Sequence, residues 1–449
     1  MTKKRTLTEG GVGACPSCLH PMTAAHQPSP GRLVTWLAGL WTAAPISSKP
    51  VVRRSTWEDA TSALPVEVYE HIFSFLEPQT LVTILRVCNQ LHQVAARFLF
   101  ARVALNSTVS FDHILALFSG VLPQPQYGTH VRTFLIDLAA ERERSAPPGV
   151  LQPLQPFLVD MFAGGFRSLK HLRVLSLPLK LSEAFAAIYD LHFPQLERLE
   201  VRCAVPMEDF VAFVSRHAAS LTHLIHPHHI AVEALESLAI LPRLIYLHAT
   251  PSLVLHVLED QPEVRLQYLG ILCSPPVPWV GPTRTDDDVA ECLPAILDVL
   301  RTWDENPLTT LHIHEPFGFS HIRSALWHEQ DAPLATLRRL ELASTHEPVD
   351  FLGLRPGIFR DILRAIPNVG TLKIESINGQ KLFRSAGPPL RFARELVESQ
   401  TGVSDIDMFN LQRIVADGMC LVRTEPTDSR FRHDLGGAEK RSPWLVDFV

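Results

Sequence analysis

What the sequence has little of bounds it first. Glycine is scarce, 22 residues in 449 against 36 prolines. A proline cannot continue a helix or sit within a central strand. This balance therefore disfavours long helical bundles and large continuous sheets, and favours short elements with punctuated joints. Charge of one sign is missing too: 41 basic and 47 acidic residues leave a net charge of −6, which offers no domain-wide basic field to a nucleic acid. No apolar run suits a membrane span; the longest near the start, Leu33 to Ala44, is about half the roughly 20 residues required. It begins too far from Met1 for a secretory signal, and Lys3, Lys4 and Arg5 lead into a polar stretch. Seven cysteines, spread from Cys15 to Cys420, describe no disulfide framework in a chain this long, so a reduced cytoplasmic or nuclear setting is expected. The signatures GxSxG, GxxxxGK(S/T) and HExxH are absent and no nucleophile is paired with a base, so neither a catalytic residue nor a cofactor is expected.

What is present is apolar and periodic. The hydrophobic fraction, 46%, is that of ordinary globular proteins. Residues 1–57 carry no sustained period and read as a disordered tail. From Pro65 the residues Val68, Ile72, Phe75 and Leu76 form a helical stripe with proline in its first turn, ended at Pro78. Leu81, Ile84, Leu85 and Cys88 form a second stripe, and Leu91, Val94, Ala95, Phe98 and Leu99 a third. Three helices this short make a unit near the lower limit for independent stability, so some of its apolar side chains are expected to remain as a docking patch.

Beyond Asn106 a short unit recurs, apolar-x-x-apolar-x-apolar. It reads Leu172-Leu175-Leu177, Leu196-Leu199-Val201, Leu244-Leu247-Ala249, Leu266-Leu269-Ile271, Leu308-Leu311-Ile313, Leu337-Leu340-Leu342 and Val369-Leu372-Ile374. Leu221-Leu224 begins a copy that ends on His226, and Val131-Phe134-Ile136 is an earlier one. The central leucines from Leu175 to Leu269 are 24, 25, 23 and 22 residues apart, within the roughly 20–29-residue period of leucine-rich repeats. Later spacings of 42, 29 and 32 imply insertions. Helix-like stretches fill the gaps: Met207–Ala219, Val232–Ala239, Asp287–Trp303, Ile322–His328 and Ile358–Ala365, with Thr285 as an N-cap before the acids Asp286–Asp288. Pro194, Pro242, Pro307 and Pro367 stand one or two residues before a motif position, as stops before each strand. The expected fold class is α/β: a three-helix head over 58–105, then over 106–380 an irregular leucine-rich-repeat-like solenoid with parallel strands on one side and helices on the other. Over 381–424 a cap is expected, with Ser404 and Asp407 capping a helix Met408–Ala416 and Gly418 ending it, and 425–449 reads as a disordered tail.

The residues Leu64 to Leu91, LPVEVYEHIFSFLEPQTLVTILRVCNQL, resemble the F-box family. Leu64, Pro65, Glu67, Ile72, Phe75, Leu76, Leu81, Val87, Cys88 and Leu91 match the positions of its signature, although Thr80, Asn89 and Leu91 depart from the residue types common there. The resemblance implies that these residues dock a Skp-type adaptor and, through it, a cullin, making the chain a substrate receptor of a ubiquitin ligase. The strand positions between motif residues, Glu200, Arg202, His226, His248, His312, His314, Glu341, Lys373 and Glu375, are expected to face solvent as a row that recognises an unknown target protein. The competing readings are an interaction scaffold that directs no ubiquitination and an enzyme with an unfamiliar site in 274–305. Cys15-x-x-Cys18 with His20 and His26 offers zinc-type ligands, but no second cysteine pair follows, and free thiols are expected. His223, His226, His228 and His229 lie close in sequence, yet Pro227 marks a surface turn there.

Overall fold

The computed structural model describes residues 64–106, 109, 111–137, 156–177, 182–273, 286–303, 307–315, 319–326, 334–344, 356–376, 396, 411–416, 419–423 and 444–448. The zinc-type set, the tail over 1–57, Thr285, Ser404, Asp407 and Gly418 lie outside them.

Three helices open the described chain: α1 (Val66–Ser74), α2 (Pro78–Ile84) and α3 (Asn89–Phe100). Pro65 stands at the N-cap of α1 and Pro78 at the first position of α2, where an amide would have no intrahelical partner in any case. The stripe read from the sequence for α1 is corrected. Tyr69 and Phe73 face inward, while Val68, Ile72 and Phe75 point away and Leu76 is half-buried. α1 is apolar on both sides, so periodicity alone offers two faces, and the side with two aromatic rings buries more surface. Leu81, Val82 and Leu85 of α2 and Val94, Ala95, Leu99 and Phe100 of α3 complete this core.

α3 runs into β1 (Arg102–Asn106), the first of eleven parallel strands. The others are β2 (Thr133–Asp137), β3 (Val174–Leu177), β4 (Arg198–Val201), β5 (His223–His226), β6 (Tyr246–Ala249), β7 (Tyr268–Leu272), β8 (Thr310–Glu315), β9 (Arg339–Ser344), β10 (Thr371–Ser376) and β11 (Arg413–Ala416). Between β1 and β2 lie α4 (Phe111–Ala116), a π-helical turn (Leu117–Val121) and α5 (Pro125–Gly128). Later connections carry α6 (Pro156–Arg167), α7 (Ser182–Ala186), α8 (Met207–Arg216), α9 (Val232–Leu235), α10 (Pro251–Asp260), α11 (Asp286–Thr302), α12 (Phe319–Leu326) and α13 (Pro356–Ala365). The strands lie side by side in chain order. Most elements are short, although α11 runs 17 residues with Pro294 inside it, but the expectation against a large sheet fails. Pro194, Pro242, Pro307 and Pro367 stand before strands, outside the ladder, and a sheet of thirteen short strands results.

One row defines the register. Leu175, Leu199, Leu224, Leu247, Leu269, Leu311, Leu340, Leu372 and Ile414 are direct neighbours across the ladders, and all are fully buried. Each such side chain contributes about 1.5–3 kcal/mol on burial, and a one-residue slip would turn the entire row to solvent. Entry into each strand repeats as well. Two consecutive amides share one carbonyl of the preceding unit, as Glu197 and Arg198 on Arg173 (2.8 and 2.9 Å) and Gln412 and Arg413 on Gly370 (2.9 and 2.9 Å). Insertions of irregular length therefore leave the ladder unchanged.

The C-terminal reading is corrected. The helix expected over Met408–Ala416 is, where described, strand β11, followed by two antiparallel strands, β12 (Met419–Arg423) and β13 (Trp444–Phe448), the latter within the segment read as a disordered tail. Leu411, Ile414 and Ala416, all buried, are a further copy of the apolar-x-x-apolar-x-apolar unit, and Phe100, Val103 and Leu105 are an unnoticed first one. The ladder thus extends past residue 380 and begins within the three-helix head. No helix among the described residues is long and apolar enough to cross a membrane.

Candidate functional site

The first candidate surface is on the head. Nine large apolar side chains are exposed among the described residues, and six of them fall between Leu64 and Val87: Leu64, Val66, Val68, Ile72, Phe75 and Val87. Phe75, at 75% exposure, presents nearly its whole ring, with His71 edge-on to it at 5.0 Å between ring centres. Exposed apolar surface this concentrated marks an interaction site. The signature positions divide in two. Leu64, Pro65, Glu67, Ile72, Phe75 and Val87 are exposed, whereas Leu76, Cys88 and Leu91 are half-buried. Leu81 is a core residue at 4% exposure, so a direct docking role for it is corrected to support of α2 from beneath.

The head is tied to the sheet. The Nδ1–H of His92 donates to the Leu85 carbonyl (2.9 Å), and its Nε2 accepts from the Tyr127 hydroxyl (3.3 Å). Tyr127 in turn packs on Phe100 at 4.7 Å. These contacts join α2, α3 and α5, and through Phe100 they reach β1.

The second candidate surface is the sheet face opposite the leucine row. The residues on either side of each central leucine line it. One ladder row runs Arg198, His223, Tyr246, Tyr268, Thr310, Arg339, and the next Glu200, Ile225, His248, Gly270, His312, Glu341, Lys373. Tyr246 and Tyr268 stack at 4.0 Å and 7°, and His223 continues the stack at 5.4 Å from Tyr246. The Tyr268 hydroxyl lies 3.0 Å from His312 Nδ1, and the His248 and His312 rings are 5.1 Å apart. Gly270 lies between these two histidines in the row, and a methyl group there would overlap the His248 ring. Burial holds the imidazoles neutral. It drives His248 down to about 3, helped by the neighbouring His312, His314 and Arg202, and His314 down to about 4, helped by His312. His312 is lowered by burial as well. Burial likewise raises Tyr268. Gly270→Ala is therefore expected to push His248 out of its buried position, so that its titration midpoint rises from about 3 toward the ordinary histidine range, as imidazole NMR would register.

Ion pairs border this neutral centre on both sides. Glu200 is held by Arg198 (3.4 Å) and Arg202 (2.5 Å), and Glu341 by Arg339 (2.6 Å) and Lys373 (3.7 Å), which also reaches Glu375 (2.7 Å). The expectation that the whole row faces solvent is corrected. Glu200, His314 and Glu341 lie on this face but are buried by their neighbours, His248, His312 and Lys373 are half-buried, and only Arg202 and Glu375 are exposed. His226 is on the other side. It occupies the core position that Val201 and Ala249 hold in adjacent strands, stacks on Phe210 at 3.9 Å and donates from Nδ1 to the Val201 carbonyl (3.0 Å). Burial lowers it to about 3. Its place in the motif, where the copy ends on histidine, was the signal for this position. Pro227 is buried beside it, not at a surface turn, and no metal-holding group of three His, Cys, Asp or Glu occurs among the described residues. The two tyrosines went unnoticed in the sequence, although each directly precedes a central leucine.

Compared with known families, residues 61–106 match the F-box-like family model, about a tenth of the chain, and include the exposed patch and β1. No curated protein matches the chain.

Proposed function

We propose that this chain is a non-catalytic, target-recognising subunit of a Skp–cullin–F-box ubiquitin ligase, acting in the cytoplasm or nucleus. The F-box-like head would dock a Skp-type adaptor and, through it, a cullin; the strand-and-helix ladder that follows, a degenerate leucine-rich-repeat solenoid, would hold the target. The observation that carries this reading is the gathering of six exposed apolar side chains on the F-box-like segment, away from a sheet whose own core is closed. The head's attachment through His92 and Tyr127 supports it, because a target held on the sheet would then keep a defined position relative to the adaptor and gain effective concentration near a charged ubiquitin carrier. The two faces are separate in chemistry, apolar on the head and polar with aromatic rings on the sheet, as two different partners require.

Co-purification tests the first half. Wild-type protein is expected to recover a Skp-type adaptor, and Leu64→Ala/Pro65→Ala to lose most of it; equal recovery by both, or none by either, refutes docking through this segment. Target turnover tests the second. A bound partner whose half-life ignores loss of this chain would identify a scaffold instead.

A further inference from the structure

We infer that the floor formed by Tyr268, His248, His312 and His314 receives an uncharged, amide-bearing segment of a target protein, held by hydrogen bonds and stacking and not by charge. This rests on the reading of the sheet face as the target-binding surface and assigns the chemistry of what binds there.

The hydrogen bonds set the requirement. The Tyr268 hydroxyl and His312 Nδ1 are hydrogen-bonded at 3.0 Å, which leaves Nε2 as the second polar atom of that ring. That Nε2 has no hydrogen-bond partner among the described residues, and neither has the Nε2 of His248 or of His314, although all three atoms are buried. His314 as a whole is only 8% exposed. A buried polar atom left unpaired is costly, so three in one patch define a site that a ligand completes. His312 and His314 share this face as alternate residues of β8, and His248 reaches them across the gap that Gly270 leaves.

Charge then selects among ligands. Held neutral by burial, the three imidazoles offer N–H donors and lone-pair acceptors but no positive charge. The bordering cations are already engaged, Arg198 and Arg202 by Glu200, and Arg339 and Lys373 by Glu341 and Glu375. An oxyanion would have to break these pairs and meet three carboxylates. An amide brings one acceptor and two donors to match neutral imidazoles, and its plane fits against the parallel Tyr246 and Tyr268 rings.

The test uses the full-length protein and a synthetic peptide library with random flanks and one fixed central residue, Gln, Asn, Glu, Lys or phosphoserine. Gln and Asn pools are expected to be retained about tenfold better than the charged pools, a difference of about 1.4 kcal/mol, with little change between about 0.1 and 0.5 M salt. Tyr268→Phe, which keeps the ring stack and removes the hydroxyl, and His312→Phe are each expected to lose that selectivity. Should His312→Phe fail to fold, Tyr268→Phe with an unchanged melting curve still decides. Preference for Glu or phosphoserine, retention that collapses with salt, no selection by any pool, or full selectivity in folded Tyr268→Phe overturns the inference. Adaptor recovery is read separately on the same preparations. Phe75→Asp is expected to keep peptide selection, so that failure of head docking and failure of this site are distinguishable.

Discussion

Phe75→Asp is expected to weaken adaptor binding by about 30-fold or more while leaving the melting temperature nearly unchanged. The side chain stands 75% exposed at the end of α1, edge-on to His71, so the fold loses little by its removal. Substitutions at such surface positions usually change stability by within about 0.5 kcal/mol. In a complex the same ring, the most exposed of the six apolar side chains of the head, would be covered by the partner. Truncating an aromatic covered in that way costs about 2 kcal/mol or more, and a buried unpaired carboxylate adds to it, so affinity should fall by about 30-fold at the least. Leu81→Ala is the contrasting variant. Leu81 belongs to the core of the head, and its loss should destabilise the head by about 2–5 kcal/mol and weaken adaptor binding only through unfolding. Titration calorimetry against a purified Skp-type adaptor, with thermal melts of both variants, separates the two cases. A Phe75→Asp protein that binds normally would remove the head patch from the mechanism.

The second large effect is acid lability. His226 is lowered to about 3 and His217 to about 4, in both cases first by burial. His217 makes two hydrogen bonds, one of which requires its neutral form: Nε2 accepts the Phe193 amide (2.9 Å), while the Nδ1–H, present in both forms, donates to the Phe213 carbonyl (2.7 Å). The unfolded chain protonates near the ordinary value of 6.5 and so binds more protons than the folded one below it. Stability is fully present above about pH 6.5 and falls as pH drops toward the folded values of about 4 and 3. Each unit of depression corresponds to about 1.4 kcal/mol, which makes the combined loss several kcal/mol. His226→Leu restores the apolar residue that neighbouring copies carry and should flatten the curve between pH 6.5 and 4, although it deprives the Val201 carbonyl of a donor. Denaturant unfolding across that range checks it. A variant curve parallel to the wild-type curve would exclude His226 as a source of the lability.

Both expectations depend on which side of an element a residue faces, and that divides what was legible from what was not. The leucine row was legible, because apolar-x-x-apolar-x-apolar at a near-constant interval admits one buried face per strand, and Leu175 through Leu372 all lie on it. The end of the ladder was misread at Leu411–Ala416, where the copy follows a long insertion, so that a helical spacing of the same apolar residues competed with the strand. On α1 the apolar residues ring the helix, and only packing against α2 and α3 selects Tyr69 and Phe73 and leaves Val68, Ile72 and Phe75 outside.

By itself, then, the sequence determined an F-box-like head, parallel strands with helices between them and a leucine core, because short-range periodicity and motif spacing are local properties. Tertiary structure alone decided that Glu200, Glu341 and His314 are buried, that His226 belongs to the core, and that Tyr268 orients His312. Each of these depends on neighbours more than 20 residues distant in the chain and brought together only by the register: Val201 beside His226, and His312 beside Tyr268 across an insertion. Alternation says which way a side chain points, but its burial, charge state and hydrogen-bond partner belong to the strands on either side.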